Sequence, residues 1–172
     1  MHSEEQKTFF IDYAIRLSLT DIEKSFARPF GAIVVHQDKI IAEGFNTAVR
    51  INDPTAHAEV NAIRSACAKF ASYILPSGCS LFSSSEPCPL CFSAAYWAGI
   101  SEIYFALDST TSSEFGFSDS RLSALLGTTQ TRGEKILSAD FSLAMSAFHR
   151  FLESHPAWLD SPTSREAIRN QL

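Results

Sequence analysis

The sequence predicts an α/β domain, a mixed β-sheet covered by helices on both faces. Two observations predict it. Apolar, β-branched runs at 32–35 and 39–42 flank a short turn, Gln37-Asp38, so the sheet opens with an antiparallel hairpin. After residue 79, strand-like runs alternate with helical segments, the pattern of parallel strands joined by crossover helices. The 172 residues are 45% apolar and 19% charged. That suffices for one sizeable core, and a single domain over 1–160 is expected.

Each element has its own signal. Phe9, Phe10, Tyr13, Ala14 and Leu17 recur at helical spacing and predict an amphipathic helix over 5–24. Pro29-Phe30-Gly31 breaks the chain ahead of the hairpin. Residues 45–56 are polar and loop-like. Asp53 or Thr55 can cap a helix and Pro54 suits a first turn, so a second helix is expected from Pro54 to Phe70. Pro76-Ser77-Gly78 punctuates, and 79–83 reads as a buried strand. A third helix is expected over 88–98 and a strand over 101–107. The Ser- and Thr-rich stretch 108–118 reads as irregular. A short helix over 119–126, a strand over 135–141 and a helix over 143–153 complete the domain. The polar tail 161–172 is expected to fray or dock on a neighbour.

Composition narrows the partners. Net charge is −5, and Lys and Arg never run three together. A polyanionic partner such as nucleic acid is therefore disfavoured. No apolar run is long enough for a membrane span. Met1-His2-Ser3-Glu4 lacks the layout of a secretory signal, so a cytoplasmic protein is expected. Cys67 and Cys79 read as buried free thiols in that reducing setting.

The chemistry lies in His57-Ala58-Glu59 and Pro87-Cys88-Pro89-Leu90-Cys91. Cys88 and Cys91 are three residues apart at the start of a helix, so their sulfurs share a face and can meet one ion. The helix N-terminus favours their thiolate forms. With His57 they form a three-donor set for one Zn2+ per chain. The fourth position stays open for water, as in catalytic rather than structural zinc. Cys67 lies ten residues along the helix from His57, about 15 Å away, and cannot join. Two duller readings compete: a structural zinc closed by a fourth ligand such as His36, and a pair of core thiols without metal. Glu59 sits about 200° round an ideal helix from His57, off the metal. It is either an idle surface carboxylate or the proton carrier beside the reacting water. The pattern H-x-E…P-C-x-x-C is the signature of zinc-dependent base deaminases.

Residues 53–60 together with Glu86-Pro87-Cys88-Pro89-Leu90-Cys91 resemble the cytidine-deaminase superfamily, and the likeness runs from about Pro29 to Asp119. It implies a three-layer αβα sandwich around a mixed five-stranded sheet. It also implies His57, Cys88 and Cys91 as zinc ligands, with Glu59 as base and acid of a hydrolytic deamination. Tyr96-Trp97-Ala98, Gly116-Phe117-Ser118-Asp119-Ser120 and Asn46, eleven residues before His57, are similar to the bacterial guanine deaminases. That likeness implies a small nucleobase substrate, guanine going to xanthine plus ammonia. It further implies a homodimer that exchanges 108–160 between subunits, Asn46 as a base ligand, and Asp119 near the base in the partner's site. Those enzymes close the pocket with a terminal Tyr, whereas no Tyr follows Tyr104 here.

The residues leave alternatives open. Phe30 could stack on a flat base or belong to the core, Asn46 could hold its own turn, and Asp119 could cap the helix it precedes. Trp97 reads as core or subunit contact. The rival functions are a tRNA adenosine deaminase, a deaminase of guanosine, cytosine or another aminated heterocycle, and a zinc-bearing interaction protein without turnover.

Overall fold

Strands that are apolar on both faces must be covered on both faces. The strand β1 (Gly31–His36) shows this directly. Ala32 and Val34 point into one core cluster, while Ile33 and Val35 point into another. The computed structural model describes residues 2–20, 22, 28–127, 132–136 and 141–159. Within them β1 pairs antiparallel with β2 (Lys39–Phe45) across Gln37 and Asp38, both at positive φ, as a two-residue hairpin turn requires. On its other side β1 pairs antiparallel with β3 (Cys79–Ser85). β3 then runs parallel to β4 (Glu102–Leu107), and β4 parallel to the short β5 (Glu134–Lys135). The five strands lie in the order β2-β1-β3-β4-β5, so the sheet is mixed as expected.

Helices cover both faces and complete the three-layer sandwich. On one side α3 (Ala58–Phe70) and α4 (Pro89–Trp97) bury Ala58, Ala62, Ile63, Ala66 and Ala95 against the sheet. On the other side α1 (Glu4–Ser18) and α7 (Phe141–Ser154) bury Phe10, Ile11, Ile15 and Phe148. Small residues bring α3 close to the strands, and Gly31 lets α1 come close on the other face. Gly44 is the closest approach: a Cβ there would run into Ala58 O and Ala62 N of α3. Among the described residues no helix is long and apolar enough to cross a membrane.

Several boundaries differ from expectation, each for a local reason. α1 starts at a capping box in which Ser3 and Gln6 bond reciprocally, and it ends at Ser18 rather than residue 24. Its inward face is Phe10, Ile11, Ala14 and Ile15, and Phe9 is exposed. α3 starts at Ala58, not Pro54. The Asp53 carboxylate accepts the Thr55 N–H (2.8 Å) and hydroxyl (2.6 Å), which holds 53–56 as a turn. Thr47 precedes a single helical turn, α2 (Ala48–Ile51), inside the expected loop. The stretch expected to be irregular contains α5 (Ser109–Glu114), because Asp108 caps it through the Thr111 N–H at 2.9 Å. α6 (Ser120–Leu125) follows. The last strand is two residues rather than seven, and Phe141 already opens α7. Residues 21, 23–24 of the first expected helix, 137–140 of the last strand, and the tail 161–172 lie outside the described residues. Cys79 is buried, but Cys67 is only half-buried.

Candidate active site

The parallel strands set the place. β3 and β4 end side by side, and the loops leaving their carboxyl ends form one wall of a cavity of about 550 Å³. Ser85 ties the two ends by donating to Leu107 O at 3.2 Å. Glu86, buried, braces the same loops: Oε2 accepts the Ser109 N–H and Oε1 the Arg132 N–H, both at 3.0 Å.

Two helix N-termini then converge. Cys88 is the N-cap of α4, with extended backbone (φ −64°, ψ 168°), Pro89 follows in the first turn, and Cys91 lies one turn on. His57 is the N-cap of α3, also extended (φ −70°, ψ 159°), so it stands outside the helix. The expected 200° divergence between His57 and Glu59 therefore does not apply. Asn61 fixes the approach to α3, its Nδ2 donating to Phe45 O at 2.9 Å and Thr47 Oγ1 at 3.0 Å.

The result is a triangle of donors. Sγ of Cys88 lies 3.6 Å from His57 Nδ1, Sγ of Cys91 lies 3.4 Å from it, and the sulfurs are 3.6 Å apart. Zinc bound tetrahedrally at about 2.3 Å to sulfur and about 2.0 Å to nitrogen spans edges of roughly 3.6–3.8 Å. The triangle fits that ion. Among the described residues no fourth His, Cys, Asp or Glu joins the group, which removes His36 as a closing ligand. The sulfurs already favour one ionised thiol. The hydrogen bond shared with Cys91 holds Cys88 down to about 4, while that bond and burial push Cys91 up.

Glu59 is the second residue of α3. It is buried, lines the cavity and lies beside the Cys91 thiol. Burial, then the charge of Cys88, pushes its carboxyl above the usual range. It is not an idle surface group.

The remaining expected contacts also reach the cavity. Asn46 is buried, and its Oδ1 accepts the Ala48 N–H at 3.1 Å. It holds its own turn and also lines the cavity. Phe30 is half-buried, packed against both core clusters. It meets Phe117 and Phe148 edge-on at 5.0 and 5.6 Å and forms part of the cavity wall. Asp119 occupies the N-cap position of α6 but makes no capping bond, and its carboxylate turns to Arg132 at 2.7 Å. In the single chain it lines the same cavity as that chain's own His57. Trp97 is 73% exposed, so it is not core.

Sequence reasoning passed over Arg28, Glu86, Arg132 and Trp158. Arg28 and Trp158 line the cavity, with the Arg28 Cζ 5.4 Å from the Trp158 ring centroid. The ring is held by its Nε1, which donates to Phe115 O at 3.0 Å, and it stacks on Phe117 at 5.0 Å. Trp158 thus supplies an aromatic wall to the cavity. Spacing from the motif could not have found it.

Residues 4–107 match the family model described as the cytidine and deoxycytidylate deaminase zinc-binding region. The chain is 44% identical to a guanine deaminase of Bacillus subtilis (strain 168) over 111 residues, 64% of this chain and 70% of that one. It is 36% identical to a tRNA-specific adenosine deaminase of Aquifex aeolicus (strain VF5) over 101 residues, 56% of this chain and 66% of that one. The X-ray structure of guanine deaminase from Bacillus subtilis aligns with a TM-score of 0.67 at 34% identity, covering 96% of this chain and 99% of that one. A structure from a study of tRNA:A34 deaminases aligns with a TM-score of 0.56 at 33% identity, covering 60% of this chain and 78% of that one. The matched stretch contains all three zinc-sized donors and the buried carboxylate beside them, and the chain belongs to the cytidine and deoxycytidylate deaminase zinc-binding family as a zinc-dependent deaminase.

Proposed function

We propose that this deaminase converts guanine and water to xanthine and ammonia. One observation carries the reading. The segment after β4 folds over the cavity, where Gly116, Phe117, Asp119 and Trp158 wall it in. The likeness to guanine deaminase spans nearly the whole chain, including that segment, while the tRNA-deaminase likeness covers 60% of it. A walled cavity suits a free base. A tRNA loop must pass its backbone over the mouth and needs basic surface, and the net charge here is −5.

Each residue then has a task. His57, Cys88 and Cys91 hold the zinc, which when bound lowers the pKa of the attacking water and stabilises developing charge. Glu59 accepts a proton from that water and delivers one to guanine N3. As the C2–N bond breaks, the same carboxylate takes the proton left on the added hydroxyl, whose oxygen becomes the 2-oxo group, and gives it to the departing 2-amino group, so one side chain acts as base and then acid. Its raised pKa suits the first half, because a carboxylate nearer neutrality takes a proton from the water more readily. Asn46 offers its Nδ2 to the base, Phe30 supplies an aromatic wall, and Asp119 faces the base with its carboxylate. The reading includes a homodimer. Tyr73, Ile74, Tyr96 and Trp97 are exposed, and association would cover them.

The test is ammonia release from guanine, guanosine, cytosine and a tRNA anticodon stem-loop at equal concentration. Guanine is expected to be the fastest by at least tenfold. Faster release from the stem-loop would replace this reading with the tRNA one.

A further inference from the structure

Arg28 takes no part in the proton steps, yet it lines the cavity beside them. Its Nε is buried and makes no hydrogen bond, and among the described residues no carboxylate pairs with it. It lies within electrostatic reach of His57, and its planar group packs over the Trp158 ring. Burial lowers its proton affinity, but a guanidinium stays charged in a protein. Only Nε is fully withdrawn from water; the side chain lines the cavity, where a ligand can meet donors that no described residue takes.

The chemistry of that ligand follows from the fork. A guanidinium presents paired donors in a plane and matches two adjacent acceptors. The walls beside it, Phe30, Phe117 and Trp158, suit a flat ring. On guanine the adjacent acceptors are O6 and N7, and adenine offers N7 beside a donor amino group. We propose that Arg28 reads the O6/N7 edge of the purine and thereby selects a 6-oxopurine over a 6-aminopurine. The inference rests on the guanine reading above. C2, which bears the amino group to be lost, lies at the other end of the purine from N7. The two edges can therefore be held at once by different groups.

The test is calorimetric binding to the zinc-loaded full chain with two probes. Hypoxanthine keeps O6 and N7 and has no amino group to lose, and unsubstituted purine lacks O6. Wild type is expected to prefer hypoxanthine. Arg28→Met is expected to weaken hypoxanthine by roughly 10- to 100-fold and purine by less than about threefold. Arg28→Lys keeps the charge without the fork and is expected to lose the same preference. It decides the matter should Arg28→Met fail to fold, as judged by zinc content. Equal losses for both probes, no loss, or full recovery in Arg28→Lys overturn the role of Arg28 while guanine turnover by wild type stands. A wild type that neither binds hypoxanthine nor releases ammonia from guanine overturns the guanine reading, and this inference with it.

Discussion

Arg132 Nη2 lies 2.7 Å from Asp119 Oδ2, while Nε of the same side chain donates to Pro87 O at 2.6 Å. One buried guanidinium thus joins the C-terminal segment to the loop that presents Cys88. Burial raises the Asp119 carboxyl, and the Arg132 charge works against that rise. Breaking a buried pair leaves a charge uncompensated, at about 3–5 kcal/mol. Arg132→Met is expected to lose about 3 kcal/mol in urea unfolding. Asp119→Asn is expected to lose less, since its amide oxygen still accepts from Arg132. An unchanged midpoint for Arg132→Met would show that the brace carries no weight.

The donor triangle makes a prediction about metal and folding together. Cys91 is fully buried and cannot be replaced by solvent. Cys91→Ser is expected to purify with much less zinc than wild type. Binding that favours the folded state adds about 4 kcal/mol at a thousandfold excess over Kd. Chelation is therefore expected to lower the melting temperature of wild type, and hardly that of Cys91→Ser. Equal zinc in the two proteins by atomic absorption would refute the ligand assignment.

Glu59→Gln is expected to keep its zinc and lose ammonia release by about 10²- to 10⁴-fold. Its effect on stability has the opposite sign. Burial and Cys88 hold the folded-state pKa above the ordinary 4.5. Below 4.5 the carboxyl is protonated in both states and contributes nothing. As pH rises through the raised value, the folded state binds more protons than the unfolded one, and stability falls. Above that window the zinc-free Glu59→Gln chain is expected to melt higher than zinc-free wild type. The gap should close toward pH 4.5. A constant gap across pH, by differential scanning calorimetry, would mean the carboxyl is not desolvated.

The zinc donors were legible because their geometry is local. A Pro, two Cys three apart and a helix start fix two sulfurs without help from the rest of the chain. The hairpin was legible for the same reason, since Gln37 and Asp38 complete it alone. Glu59 was named, but its burial depends on packing that no short motif encodes. Asp119 was legible as a residue but not as a partner of Arg132, thirteen positions on. Arg28 before Pro29 reads as an ordinary surface residue until Trp158 is placed against it. α5 was missed because Ser and Thr are weak helix formers. Their hydroxyls bond back to the helix, as Ser113 does to Ser109 O at 2.7 Å, and Asp108 supplies the cap.

Gly44 offers the last test, because it sets how near α3 can come to β2. A Cβ at this position would meet backbone, Ala58 O and Ala62 N, and no rotamer change can relieve that contact. Ala58 lies between His57 and Glu59, so any retreat of α3 moves a zinc donor and the proton carrier together. Gly78 provides the control. It has φ +84° but open space around it, so Gly78→Ala costs only backbone strain, about 1 kcal/mol. Gly44→Ala carries no such strain but overpacks by about 1–3 kcal/mol, and is expected to be less stable than the control by about 1 kcal/mol. It is also expected to hold zinc more weakly in competition with a chelator, which Gly78→Ala should not. Matching stability and zinc affinity in the two variants would show that α3 can shift without disturbing the site.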